Sequence, residues 1–232
     1  MFDRYTITAA PEDLEKYFTL EIVPEYQPCY NASPGRLLPV ITNSSPKGIS
    51  LFYWGLPPSW GKNKSISRKL IYADSNQLTS KITYKNALVS RRCLVPADGI
   101  YLWKKVSKKS EIPYRFILND QKTFLMPGLW DEFDDEESRI VHTFLIITTK
   151  AEQTLQSFTM DMPLMLNKEN GWKWLDDNLT MDQHLDVLSN VLDEEMGSYP
   201  VSSRINNTSY DSPDLIQPSS PVDQFGNYSL FN

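Results

Sequence analysis

The chain has 232 residues, enough for one sizeable hydrophobic core in a single domain. Hydrophobic residues make up 41% of it, an ordinary share for a globular protein. No apolar run approaches the roughly 18 residues that span a membrane, and the net charge of −6 argues against broad electrostatic adhesion to nucleic acid while leaving room for a local basic groove.

The chain opens Met1-Phe2-Asp3-Arg4, with no basic segment followed by an apolar one. No secretory signal is expected, and the expected compartment is the cytoplasm. Cys29 and Cys93 are far apart in sequence, and nothing in their spacing asks for a bridge. They are expected to be two buried thiols in a reducing environment.

The first predicted element is a helix over Pro11 to Phe18. Pro11 suits a first turn, Thr8 can cap it, and Leu14, Tyr17 and Phe18 share one face. Strand-like runs follow at Leu37 to Ile41, Ile49 to Trp54, Cys93 to Pro96, Ile100 to Lys105, Pro113 to Leu118, Thr123 to Gly128 and Phe144 to Thr149. They are short, rich in β-branched and aromatic residues, and punctuated by Pro, Gly, Asn and Lys. Lys104, Lys105, Lys108 and Lys109 read as a basic hairpin, and the acidic run Asp131 to Glu137 as a solvated loop. Two late helices are predicted, Lys168 to Leu175 and Met181 to Leu192. The second carries Met181, Leu185, Leu188 and Leu192 on one stripe that faces the core. Many strands and few helices, without strict alternation, predict an α+β fold with a mostly antiparallel sheet or barrel.

From about Asn206 the chain turns to Asn, Ser, Pro and Asp, and a mobile C-terminal tail is expected. Leu215-Ile216-Gln217-Pro218 is an apolar island suited to be the last docked element. These features divide the chain into one domain over residues 1–218 and a tail over 219–232.

Residue chemistry by itself names no reaction. The sequence contains no Gly-rich phosphate loop, no Gly-x-Ser-x-Gly elbow, and no Cys-x-x-Cys or His-Glu-x-x-His spacing around its two histidines, His142 and His184. Neither a cofactor nor a structural metal is expected.

Several segments nevertheless occur in a familiar order. They include Met1-Phe2-Asp3-Arg4-Tyr5-Thr6, Tyr30-Asn31-Ala32-Ser33-Pro34-Gly35 and Tyr53-Trp54-Gly55-Leu56-Pro57-Pro58-Ser59-Trp60. The most specific is Arg91-Arg92-Cys93-Leu94-Val95-Pro96-Ala97-Asp98-Gly99-Ile100-Tyr101-Leu102-Trp103. Gly128-Leu129-Trp130, Thr148-Thr149, Met162-Pro163-Leu164-Met165-Leu166, Pro200-Val201-Ser202 and Asp214-Leu215-Ile216 complete the series. Together they resemble the signatures of the SRAP (SOS-response-associated peptidase) family from residue 1 to about residue 218. The resemblance implies a curved, mostly antiparallel, barrel-like β core with flanking helices.

It also implies a chemistry. Active members of that family shield abasic sites in single-stranded DNA. An N-terminal Cys, exposed by removal of Met, forms a thiazolidine with the sugar aldehyde through its amine and thiol. An Asn, a Glu and a His assist. Matched motif by motif, these four positions are Phe2, Tyr72, Leu102 and Thr159 here. The Asn-Ala-Arg motif reads Tyr72-Ala73-Asp74, and Arg-Met-Pro reads Asp161-Met162-Pro163. A bulky residue at position 2 is also expected to keep Met1 in place. No catalytic residue is therefore expected to be intact, and Phe2 and Tyr72 are expected to fill the emptied pocket.

For nucleic-acid binding the resemblance leaves Arg4, Asn31, Pro34, Trp60, Met162 and Pro163, with Lys81, Arg91 and Arg92 as auxiliaries. Trp60 can stack on a base or pack in the core, and Arg91 and Arg92 can reach phosphate or form structural ion pairs. The expected function is that of a DNA-damage-related binder of single-stranded, abasic DNA that neither cross-links nor cuts itself. The alternative is a scaffold turned over to a protein partner or a small molecule, for which an apolar, acid-rimmed pocket would speak. A third reading, a metal-dependent enzyme, needs Asp3, Asp74 and Asp161 to converge on a hard cation.

Overall fold

A computed structural model describes residues 2–23, 25–55, 71–119, 123–134, 138–151, 153–192, 194–223 and 225–226. Two β layers organise the chain. The first is a closed barrel. Strands β3 (Leu37–Thr42), β4 (Ser45–Trp54), β6 (Arg92–Ala97), β9 (Phe124–Asp134) and β10 (Ile140–Lys150) pair in the ring β10-β4-β3-β6-β9 and back to β10. Every contact in that ring is antiparallel except β4 with β10. All six residues of β6 are buried, which suits its run of apolar side chains at the centre of the ring. Short strands β5 (Tyr72–Asp74) and β11 (Asp161–Pro163) add to β10.

The second layer is an open antiparallel sheet, ordered β12-β8-β7-β1-β2. It is made of β1 (Tyr5–Ile7), β2 (Cys29–Ala32), β7 (Gly99–Lys105), β8 (Glu111–Leu118) and β12 (Met196–Pro200). The expected α+β architecture, a curved and mostly antiparallel barrel-like core with flanking helices, is what the chain adopts.

Helix α1 (Pro11–Phe18) has Pro11 in its first turn and buries Leu14 and Phe18, while Tyr17 stays exposed. Thr8 does not cap it. The N-cap is Ala10, and Thr8 instead gives its N–H and its hydroxyl to Asp98. Helix α2 (Ile82–Ser90) has no counterpart among the predicted elements. Its apolar residues do not form one stripe: Ala87 and Leu88 are buried while Ile82 and Val89 are 68% and 60% exposed.

Helix α3 (Lys168–Leu175) is capped by Asn167, whose Oδ1 accepts the Asn170 N–H at 2.9 Å. It lies so close to the barrel that a Cβ at Gly171 would collide with Leu125. Helix α4 (Met181–Ser189) begins with a reciprocal Thr180–Gln183 capping box. It stops three residues before the expected end, and Leu192 instead gives its N–H to the Met165 carbonyl at 2.8 Å. No helix among the described residues is long and apolar enough to cross a membrane.

The acidic run is not all loop, because Asp131 to Asp134 belong to β9 and pair with β10; residues 135–137 lie outside the described residues. The β7–β8 hairpin carries the basic stretch as expected. Near the end of the chain, Leu215 is buried with Tyr101, Val201 and Ile205 in a small second core. Further on, Asp223 is buried and accepts the Ser110 hydroxyl at 2.7 Å.

One buried network joins three strands. Asp98 and Arg115, 6% and 5% exposed, form an ion pair at 3.0 Å, and Thr6 donates to Asp98 at 2.5 Å. Arg115 also donates to the Thr6 and Tyr199 hydroxyls. Removing one member of such a pair strands a buried charge. Asp98→Ala is expected to lower the unfolding free energy by about 3–5 kcal/mol in a guanidinium titration.

Candidate functional site

The N-terminal segment enters the molecule between the two layers. Phe2, 1% exposed, packs against Trp54 at the end of β4 (ring centroids 5.7 Å apart) and Tyr72 at the start of β5 (6.2 Å). Tyr5 packs on the other side of Trp54 at 5.4 Å, and Trp54 donates its indole N–H to the Ile71 carbonyl at 3.0 Å. The result is a buried aromatic cluster. The Tyr72 hydroxyl is buried there with no hydrogen-bond partner among the described residues. Burial, with Asp3 and Asp161 adding to it and Arg4 opposing, raises its pKa and keeps the phenol neutral.

Leu102 is buried on β7, opposite Tyr114 of β8. Thr159 is buried too, with its hydroxyl on the Asp161 carbonyl at 2.8 Å. Phe2, Tyr72 and Leu102 thus contribute to the core or pack against it, and Thr159 closes a local turn.

Around this cluster runs a polar shell. Arg4 is buried and donates from Nη1 to Asn31 Oδ1 at 3.2 Å and to the Ile205 carbonyl at 2.8 Å. Asn31 is wholly buried, and its amide donates to the carbonyls of Ile205, Asn207 and Tyr210. Asp211 accepts the Tyr30 and Asn31 N–H groups and pairs with Arg36 at 2.6 Å. Arg4, Asn31 and Asp211 therefore clasp the C-terminal segment to β2.

On its outer side Arg4 lines a small polar pocket of about 260 Å³ with Asp3, Trp103, Lys105, Glu111, Phe158 and Asn206. Trp103 lies 6.0 Å from the Arg4 guanidinium and donates to Asn206 Oδ1 at 2.9 Å. Sequence reasoning did not single out Trp103, Lys105 or Asn206 for a site. Trp103 stands one residue after Leu102, and alternation along β7 was the available signal.

The remaining predicted residues separate. Pro34 is exposed in the turn before Gly35, whose φ of 84° needs a glycine. Trp60 lies outside the described residues. Met162 and Pro163 line a different, larger pocket of about 480 Å³, and Phe158 borders both cavities. Arg91 pairs with Asp131 at 2.5 Å. Arg92 is buried, with its guanidinium on Asp177 and the carbonyls of Trp174, Leu88 and Val89, so both arginines form structural ion pairs.

The metal reading is corrected. Among the described residues no three His, Cys, Asp or Glu side chains gather as a cation would need, and Asp74 is occupied in capping the turn at Asn76.

Both cysteines are buried and unpaired. Burial, opposed by Arg36 and reinforced by Asp211, pushes Cys29 up to about 12, and burial alone raises Cys93 as well.

The sequence and fold match a known family. The model of the SOS response associated peptidase (SRAP) family matches residues 1–208. The abasic site processing protein YoqW of Bacillus subtilis (strain 168) is 33% identical over 222 residues, 94% of this chain and 99% of that one. The abasic site processing protein HMCES of Xenopus tropicalis is 26% identical over 93% of this chain and 78% of its own. Among solved structures, a protein from Bacteroides thetaiotaomicron superposes with a TM-score of 0.74 at 21% identity, covering 93% of this chain and 99% of that one. The chain belongs to the SRAP family.

The state of the thiols can be read directly. At pH 7.5 the native chain is expected to leave Ellman's reagent uncoloured over minutes, whereas both thiols react at once in guanidinium. Prompt reaction of either thiol in the native state would contradict their burial.

Proposed function

We propose that this SRAP-family protein acts in the response to DNA damage as a non-covalent binder of single-stranded DNA around abasic sites, without forming a cross-link to the sugar and without autopeptidase activity. The observation that carries the reading is the burial of Phe2 between Trp54 and Tyr72. Closing a thiazolidine requires an amine and a thiol on adjacent carbons at the chain start. A phenyl ring supplies no nucleophile, and an amine alone forms only a reversible imine. Nor does another thiol stand in, since Cys29 and Cys93 are buried with raised pKa values. Leu102 and Thr159 supply neither the carboxylate nor the imidazole that would move protons.

Binding without the bond rests on fewer contacts. Arg4 at the polar pocket, with Lys105 and Trp103 beside it, offers a cation and a stacking face. Asn31 contributes by holding Arg4, and Pro34 by presenting an exposed turn. Asp3 in that pocket, and Asp161 near Tyr72, repel phosphate, so the affinity is modest and falls with salt. The two reduced thiols support the cytoplasm as the compartment.

The test is incubation with a single-stranded oligonucleotide bearing one abasic site, followed by a denaturing gel and intact-mass analysis. Free protein at its own mass is expected, and a heat-stable adduct would overturn the silent-site reading. In parallel, an undamaged oligonucleotide at low salt should bind saturably. A dissociation constant weaker than about millimolar would sink the DNA-binding half.

A further inference from the structure

Strand β12 lies at the end of the open sheet, and β8 is its only strand neighbour among the described residues. An edge strand turns a row of N–H and C=O groups outward. The Pro200 carbonyl is taken by the Ser219 N–H at 2.9 Å, and among the described residues no second strand pairs with Met196 to Tyr199.

Register and alternation decide what borders that edge. Met196 faces Leu118 across the ladder and Ser198 faces Phe116, and all four line the 480 Å³ pocket. Tyr199 points the other way and donates to the Ile216 carbonyl at 2.9 Å. Met162 of β11 and Leu192 line the pocket as well. Phe158, edge-on to Phe116 at 5.0 Å, closes one end.

The volume lies within the range of about 300–1,000 Å³ typical of ligand pockets and has room for a large apolar side chain. The charge at the rim is uneven. Glu194 and Glu195, both exposed, stand just before β12, and Lys150 is the one cation among the described residues that line the same pocket.

We infer that the β12 edge and this pocket form one docking site for an extended segment of a partner protein, which adds a strand to β12, seats one large apolar side chain in the pocket and sets a flanking Lys or Arg against Glu194 and Glu195. A free small molecule would use the pocket alone. An extended peptide uses the strand edge, the cavity and the acidic pair together, with main-chain bonds supplying affinity and the cavity and acids supplying specificity. The site requires no nucleic acid, so it is independent of the DNA reading.

The probe is a fluorescein-labelled peptide, Thr-Lys-Val-Trp-Val-Lys-Thr, titrated with the full chain by anisotropy. Two controls accompany it, one with Glu for each Lys and one N-methylated at every peptide bond, so that neither edge can donate. The parent peptide is expected to saturate. The charge-reversed peptide and the E194K/E195K double variant are each expected to bind at least about tenfold more weakly. The methylated peptide is expected not to bind, because it cannot pair with a strand. An unchanged melting temperature for the double variant shows that its fold is intact.

Absence of saturation below about 1 mM would overturn the inference. So would equal binding of the methylated peptide, which would mark the cavity as a simple apolar socket, or equal binding to the double variant. Sedimentation showing the edge already occupied by a second copy of the chain would overturn it too.

Discussion

The Asp98 carboxylate holds the start of the chain inside the molecule. It sits buried in the link between β6 of the barrel and β7 of the open sheet, and it accepts hydrogen bonds from Thr6, Thr8 and Arg115. A chain terminus drawn into a core brings polar backbone and side chains with it, and each must find a partner. Asp98 supplies them for Thr6 and Thr8. Gly99 makes the approach possible, since a Cβ there would lie 2.8 Å from the Arg115 Nε and 2.9 Å from the Thr6 hydroxyl. With β1 fixed, Arg4 falls beside Asn31, and Asn31 takes the carbonyls of Ile205 and Tyr210, which ties that segment to the same sheet.

These ties belong to the fold and involve no reacting group. The stretch that most specifically resembles the SRAP signatures, Arg91 to Trp103, is largely architectural. Arg92 ties α2 and α3 to the barrel, Asp98 and Gly99 hold β1, and Tyr101 donates to the Tyr30 carbonyl at 2.9 Å. None of these roles depends on a thiol at residue 2. Phe2 extends the aromatic cluster of Trp54 and Tyr72 and contributes apolar burial worth about 2 kcal/mol or more.

Much of the fold was legible because its signals are local. The β-branched strands at Leu37 and Cys93, the proline start of α1 and the limits of α3 follow from alternation, helical spacing and turn residues. Helix α2 was not, because its apolar residues are split between a buried side and an exposed one. The acidic residues Asp131 to Asp134 read as loop by charge, yet ladder hydrogen bonds to β10 carry them as strand. The motifs pointed to Phe2, Tyr72 and Leu102, and the structure puts Phe2 and Leu102 in the core with Tyr72 packed against it. The candidate site was less legible at Asn31 and Met162. The direction of an amide, inward to three carbonyls, and the division of neighbouring residues between two cavities are set by tertiary packing, which no spacing in the sequence records.

The proposed function requires residue 2 to be core and to take no part in a reaction. Its most direct test is the unfolding free energy of Phe2→Ala by guanidinium titration with unchanged m-value. A fully packed phenylalanine predicts a loss of about 3–5 kcal/mol. A loss within about 0.5 kcal/mol, the level of an ordinary surface substitution, would contradict the account and return position 2 to an open, accessible pocket.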